Sequence, residues 1–251
     1  MQIASLGSGS KGNATLVSHE DTTILVDCGF SLRQFERRLS KLDLDPSDID
    51  AILLTHEHSD HGAGVKRLSS RYDISVWATT GTACAVFDSS FAYQGVCGGR
   101  SIQIGCFEIL PVTVPHDAGE PVQYVFRHTS SGKRLGILTD TGHITAHIIQ
   151  AYDNLDGLFL EFNYDQVMLE TGPYPYPVKQ RVSGDLGHLS NDQSLHLLRQ
   201  INTSNLNCLI VGHISEKNNC PTIVTQQLNQ LEDIPSPVLA SQESGFGWTT
   251  V

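Results

Sequence analysis

The run Thr55-His-Glu-His-Ser-Asp-His-Gly62 constrains this chain more than any other feature. It sets three imidazoles and the carboxylate of Asp60 just after Ile49 to Leu54, a short, almost wholly apolar stretch that reads as a strand buried on both faces. Polar rings delivered to the end of a buried strand are costly unless something coordinates them, and a divalent metal does so. The alternative, a solvated histidine-rich turn, is disfavoured by that strand.

The scaffold expected around the motif is one globular domain spanning 1–251, since 251 residues suffice for a sizeable core. With 22 Gly and 10 Pro the chain is turn-rich, which argues against a long helical bundle or coiled coil. Gln2 to Leu6, Ala14 to Ser18 and Thr23 to Asp27 read as a β-meander, followed by a helix over Ser31 to Lys41 with Ser31 as its cap. Helices are expected over Val65 to Ser70, Thr80 to Phe87, Ile144 to Tyr152, Asp165 to Glu170 and Asn191 to Ile201. Strands are expected over Ser75 to Ala78, Phe107 to Val114, Val122 to His128, Arg134 to Thr139, Gly157 to Phe162 and Asn207 to Val211, with Pro173 to Pro177 a local loop. Strands interleaved with helices in both halves point to an α/β fold of two mixed sheets face to face with helices outside.

The charge excludes one class of function. With 27 Asp+Glu against 16 Lys+Arg the net charge is −11, so the chain does not bind nucleic acid through a bulk positive field, although bound metal can supply positive charge locally. No apolar run is long enough to span a membrane and Met1 to Val17 lacks the pattern of a secretory signal, so a cytoplasmic location is expected. The cysteines at 28, 84, 97, 106, 208 and 220 form no C-x-x-C pair and are expected to be reduced.

The H-x-H-x-D-H spacing of His56, His58, Asp60 and His61 resembles the signature of the metallo-β-lactamase fold, and the resemblance extends in order along most of the chain. Asp27 matches the first acidic motif, a carboxylate that orients a ligand histidine. His116 in Val114-Pro-His-Asp-Ala118, Asp140 in Ile137-Leu-Thr-Asp-Thr-Gly142 and His213 in Val211-Gly-His-Ile-Ser215 match the later metal-binding positions. The resemblance implies a four-layer αβ/βα sandwich with two divalent cations, for which zinc, manganese and iron all suit the donors. It places His56, His58 and His116 on one cation and Asp60, His61 and His213 on the other, with Asp140 bridging. Two such cations can hold a hydroxide between them and clamp a phosphate or carbonyl oxygen, with Asp60 counted in the catalytic set. Asp140 stands where antibiotic-hydrolysing members commonly carry cysteine, so a β-lactamase proper is not expected.

Between His116 and Asp140 there is no room for the arm of the tRNA 3′-processing enzymes, and between Asp140 and His213 none for the extra domain of the RNase J type nucleases. Ser5-Leu-Gly-Ser-Gly-Ser-Lys-Gly-Asn13, Leu160-Glu-Phe-Asn-Tyr-Asp165 and Tyr174-Pro-Tyr-Pro-Val-Lys-Gln-Arg-Val182 leading to Gly187-His-Leu-Ser-Asn191 resemble the bacterial YycJ-like branch. That branch implies a nuclease degrading DNA from a 5′ end, linked to DNA repair. The expected function is a metal-dependent phosphodiesterase on nucleic acid, a single-stranded DNA 5′-exonuclease. The alternatives are a hydrolase of a small phosphodiester, lactone or thioester on the same site, or a non-catalytic metal-binding scaffold. Tyr164 departs from the branch, which carries histidine there; if relatives use that position as a ligand, the second cation here is weaker or differently selective.

Further residues follow from the same segments. By analogy with the tRNA-processing relatives, His188 is the expected general acid and Glu161 its carboxylate partner. The turn holding Ser10, Lys11 and Asn13 can offer backbone N–H groups to a phosphate, or be a plain glycine-serine turn. Lys179 and Arg181 either grip flanking phosphates or are ordinary surface charges. His19, His128, His143, His147 and His196 match no motif and read as structural or exposed, His143 being nearest to Asp140 in sequence. Cys28 reads as a buried thiol.

Overall fold

Side chains alternate across a strand, so a strand buried on both faces feeds two different cores. In this computed structural model, which describes residues 1–251, the strands do this. Ile24 and Val26 point into one core and Leu25 into another; Leu158 and Leu160 point opposite to Phe159.

Fourteen strands form two seven-stranded sheets. The first contains β1 (Gln2–Gly7), β2 (Ala14–His19), β3 (Thr22–Val26), β4 (Ala51–Leu53), β5 (Ser75–Ala78) and β6 (Gln94–Gly95). The second contains β7 (Ile102–Ile104), β8 (Phe107–Thr113), β9 (Val122–His128), β10 (Arg134–Leu138), β11 (Gly157–Glu161), β12 (Cys208–Gly212) and β13 (Val238–Leu239). The last strand, β14 (Phe246–Thr250), returns to the first sheet and pairs antiparallel with β1. Each sheet opens as an antiparallel meander and continues in parallel, from β3 to β6 and from β10 to β13.

Parallel neighbours require crossovers, and helices supply them. The first sheet is covered by α1 (Leu32–Leu39), α3 (Val65–Tyr72) and α4 (Thr80–Val86), with α2 (Ser59–Gly62) a single turn inside the histidine motif. The second is covered by α5 (Ala146–Ala151), α8 (Asn191–Gln200) and α9 (Pro221–Leu228). Buried side chains form an inner core between the sheets, including Ile3, Leu53, Tyr124 and Phe159, and two outer cores beneath the helices. The architecture is the expected αβ/βα sandwich.

The stretch expected as a loop over Pro173 to Pro177 ends two residues early, at Pro175. A helix, α7 (Tyr176–Val182), begins within it and follows α6 (Gln166–Thr171), with Pro177 in its first turn. Proline is tolerated there because the first N–H groups of a helix have no intrahelical acceptor to lose. No helix of the protein is long and apolar enough to cross a membrane.

Candidate metal centre

In an open sheet of parallel strands, functional groups collect beyond the carboxyl ends. Here β3 ends before Asp27, β4 before Thr55 to His61, β8 before His116, β10 before Asp140 and β12 before His213, while Glu161 is the last residue of β11. Antiparallel pairing of β8 and β10 with β9 points β8 the same way as β10, so every one of these residues reaches the same edge. Asp27, Asp140 and His213 also share a left-handed backbone, with φ of 62°, 51° and 52°, which turns the chain sharply at the strand end.

The motif loop is clamped from below by backbone hydrogen bonds from Asn13 N to the Asp60 carbonyl, from Cys28 N to the His61 carbonyl and from Gly64 N to the Cys28 carbonyl, each 2.8 Å. Gly29 lies so close under the loop that a Cβ there would sit 1.9 Å from the Asp60 carbonyl oxygen. Neither partner is a flexible side chain, so Gly29→Ala is expected to cost roughly 1–3 kcal/mol of stability and to displace Asp60. A lowered denaturation midpoint together with weaker metal retention would bear this out; an unchanged midpoint would refute it.

Five imidazoles each have one nitrogen committed to the protein. His61 Nδ1–H donates to Asp27 Oδ2 at 2.7 Å, His213 Nδ1–H to Glu161 Oε1 at 3.0 Å, His116 Nδ1–H to the Gly187 carbonyl at 3.0 Å, and His58 Nε2–H to the Asp117 carbonyl at 3.2 Å. The Thr55 hydroxyl gives its proton to Asp27, so it accepts from His56 Nδ1–H at 2.9 Å. These acceptors fix the tautomers and leave a lone pair on the other nitrogen of every ring.

The free nitrogens converge. His58 Nδ1 lies 3.1 Å from His56 Nε2 and 3.2 Å from His116 Nε2, three lone pairs facing one another. A second set gathers Asp60, His61 and His213, with Asp140 Oδ2 3.2 Å from His61 Nε2. Asp140 Oδ2 and His213 Nε2 are buried without a hydrogen-bond partner, which is expensive in a protein and ordinary for metal ligands. The residues fit two cations, with Asp140 between the sets.

The electrostatics differ between the two sets: against burial, Asp140 and Asp27 raise the His61 imidazole well above its usual range and Asp140 and Glu161 raise His213 to about 9, a positive charge that a bound cation would replace. Burial, helped by the neighbouring His61, pushes the His56 imidazole far below its usual range and so keeps it in the neutral, ligating form. Burial alone would raise the Asp140 carboxyl, but the His213 and His61 rings outweigh it and hold the group well below the usual carboxylate range. Burial pushes the Cys28 thiol up to about 12, so it is inert beside the centre.

His188 stands at the amino end of α8, whose cap is Ser190. Its Nδ1–H donates to Glu161 Oε1 at 2.7 Å, the oxygen that also accepts from His213. The other Glu161 oxygen accepts from Leu189 N at 3.3 Å, and Ser194 Oγ of α8 donates to the Glu161 carbonyl at 2.5 Å. Glu161 is thus a fully buried clamp shared by His188 and a ligand histidine. Sequence reasoning assigned it only the first of these partners.

A cavity of about 310 Å³ opens onto the centre and is lined by His58, Asp60, Asp140, His188 and His213. Ser10, Arg181, Val178, Val182 and Asp117 also line it. Asp117, overlooked in the sequence although it adjoins His116, accepts from Arg181 Nε at 2.6 Å and anchors that side chain on the wall. The other phosphate-gripping candidates are engaged elsewhere. Lys11 Nζ pairs with Glu216 at 2.7 Å, and Lys179 Nζ donates to the Glu170 carbonyl at 2.7 Å. Asn13 accepts from Gly9 N and turns its amide toward His61 Nε2, 3.0 Å away. The glycine-rich turn spends the N–H groups of Gly9, Lys11, Gly12 and Asn13 on Asn13 Oδ1, Gln242, Gly9 and Asp60, and Ser10 is its member on the cavity wall. Tyr164 is buried, its backbone bridged to Ser190, and does not line the cavity. His143 Nδ1 lies 2.9 Å from the Asp185 carbonyl, likewise outside the cavity.

Residues 22–214 match the family described as the beta-lactamase superfamily domain. The chain belongs to the metallo-β-lactamase superfamily. Within the superfamily it is 32% identical over 234 residues to exodeoxyribonuclease WalJ of Streptococcus pneumoniae, covering 90% of this chain and 86% of that protein. It is 29% identical over 255 residues to exodeoxyribonuclease YycJ of Bacillus anthracis, covering 98% of this chain and 91% of that protein. Among solved structures, Zn²⁺-bound PqqB from Methylobacterium extorquens superposes with a TM-score of 0.74 at 16% identity over 100% of both chains, a likeness of fold. The chain is a metal-dependent hydrolase of this superfamily.

Proposed function

We propose that the chain is a metal-dependent phosphodiesterase acting on nucleic acid, and specifically an exodeoxyribonuclease that degrades single-stranded DNA from a 5′ end. The observation that carries this reading is the His188–Glu161 pair on the wall of the cavity that holds the metal donors, in a chain so similar to an exodeoxyribonuclease. Two cations held by His56, His58 and His116 and by Asp60, His61 and His213, sharing Asp140, would activate water and neutralise charge on the phosphoryl oxygens.

The protein's own residues do the rest. Asp27, Thr55, Glu161 and the Gly187 and Asp117 carbonyls hold the ligand rings in one orientation, so no reorganisation is needed when substrate enters. With Nδ1–H committed to Glu161, whose carboxylate balances the charge of the imidazolium form, His188 in that form delivers its Nε2 proton to the leaving oxygen. Arg181 makes its one hydrogen bond through Nε, so its two terminal NH₂ groups are available to a flanking phosphate, while Val178 and Val182 offer apolar surface to a sugar or base. A cavity of about 310 Å³ is at the small end of ligand pockets, which favours the end of a single strand over a duplex.

The deciding experiment incubates metal-reconstituted protein with 5′- and 3′-labelled single- and double-stranded DNA and RNA. Release of short products from the 5′ end of single-stranded DNA is expected. Hydrolysis of small chromogenic diesters, lactones or thioesters with no competition from oligonucleotides would instead mark a small-molecule hydrolase. The two basic residues of α7 are expected to separate: Arg181→Ala weakens oligonucleotide binding and lowers the slope of log affinity against log salt by about 1, whereas Lys179→Ala leaves both unchanged. Salt titrations of binding check this, and equal effects of the two substitutions would remove Arg181 from the phosphate contacts.

A further inference from the structure

A second group of metal-binding side chains lies at the opposite edge of the sandwich from the centre. His19 ends β2, Glu20 opens the turn into β3, and His128 ends β9, whose direction opposes that of β10. One donor atom from each of the three lies within 4.8 Å of the others. The two rings meet edge to face with centroids 4.0 Å apart, and His19 Nε2 is 3.8 Å from Glu20 Oε1.

Edge-to-face packing accounts for the ring contact but not for one atom. His128 is 3% exposed, and its Nε2 is buried without a partner. Its Nδ1 lies 2.7 Å from Ser131 Oγ and 3.2 Å from Ser131 N. If Nδ1–H donates to the hydroxyl, a bare lone pair remains at Nε2; if Nδ1 accepts from Ser131 N–H, a bare N–H remains there. Either tautomer leaves a costly orphan. In the first tautomer the ring is held as the five histidines of the metal centre are, one nitrogen tied to the protein and the other free.

The geometry points to a third metal site, in which His19, Glu20 and His128 bind one divalent first-row ion and tie the two sheets together at the end remote from the cleft. Two imidazoles and one carboxylate select Zn²⁺, Ni²⁺ or Cu²⁺ over Mg²⁺ and Mn²⁺. Burial lowers the His19 pKa and so favours the neutral ring that a metal requires, while the Glu20 carboxylate offsets the Met1 ammonium and Lys133 nearby. The turn is itself braced against the second sheet, since Cys106 Sγ donates to the His19 carbonyl at 3.5 Å and Cys106 N to Thr22 Oγ1 at 3.3 Å. Water would complete the coordination, because Glu20 is exposed.

The test dialyses the full-length protein against buffered Zn²⁺ and counts bound metal by elemental analysis, beside His19→Gln and Glu20→Gln. Glu20 is exposed on the turn and His19 is the last residue of β2, and glutamine keeps a polar side chain at both, so the fold is retained. Wild type is expected to bind one equivalent more than either variant, the extra equivalent being held about 10- to 100-fold more weakly once a ligand is lost. Zn²⁺ added beyond saturation of the cleft should raise the melting temperature of wild type but not of the variants, with hydrolysis equal in all three. Equal metal counts, or an equal thermal response, would overturn the site.

Discussion

Asp140→Ala is expected to release at least one metal equivalent and to abolish measurable hydrolysis. The residue is 3% exposed, its Oδ2 is without a protein partner, and it stands between the His56–His58–His116 set and the Asp60–His61–His213 set. A shared carboxylate neutralises charge on both ions and fixes their separation, so its loss removes several kcal/mol of transition-state stabilisation, about 10³-fold or more in rate. Elemental analysis beside turnover numbers checks the result, with circular dichroism to confirm the fold. Full occupancy with wild-type turnover would refute the shared role of Asp140.

His188→Ala is expected to behave differently, losing about 10² to 10⁴ in rate while metal content stays intact, because general acid catalysis contributes on that scale. The defect should shrink for a diester with a nitrophenolate leaving group, which departs without needing a proton. Glu161→Gln supplies the contrast. One Glu161 oxygen receives both His188 and His213, so this variant should lose rate and also bind metal about 10- to 100-fold more weakly. Metal loss in His188→Ala, or an equal defect for good and poor leaving groups, would show that His188 is a ligand or a structural group instead.

How these residues come together was partly legible in the sequence. His56, His58, Asp60 and His61 are adjacent in the chain, and Asp140 and His213 each follow an apolar stretch, so strand ends and donors are local signals. Alternating burial likewise follows from strand period alone, which is why ten of the fourteen strands and most helices were expected within a residue or two, whereas the short or edge strands β6, β7, β13 and β14 were not. The helix Tyr176–Val182 was hidden because Pro173, Pro175 and Pro177 read as loop, although a proline in the first turn costs a helix nothing. That helix puts Val178, Arg181 and Val182 on the cavity wall, a placement that depends on where it docks.

Side-chain partners over long separations were likewise beyond the sequence. Lys11 and Arg181 are both basic residues near expected site segments, yet Lys11 meets Glu216 on the surface while Arg181 is held at the cavity by Asp117. Which acid a flexible cation finds is decided by the fold that brings distant loops together, since no local rule distinguishes one exposed lysine or arginine from another. The same holds for Glu161, whose second partner, His213, follows the end of the neighbouring strand, and for His128, which meets His19 only because the sheets pack face to face. The sequence by itself therefore determined most of the strands, the ligand types and the order in which they occur, because those depend on neighbours in the chain. The tertiary structure alone decided which free nitrogens converge and which charges face the cavity, because those depend on pairing across sheets and between loops far apart in sequence.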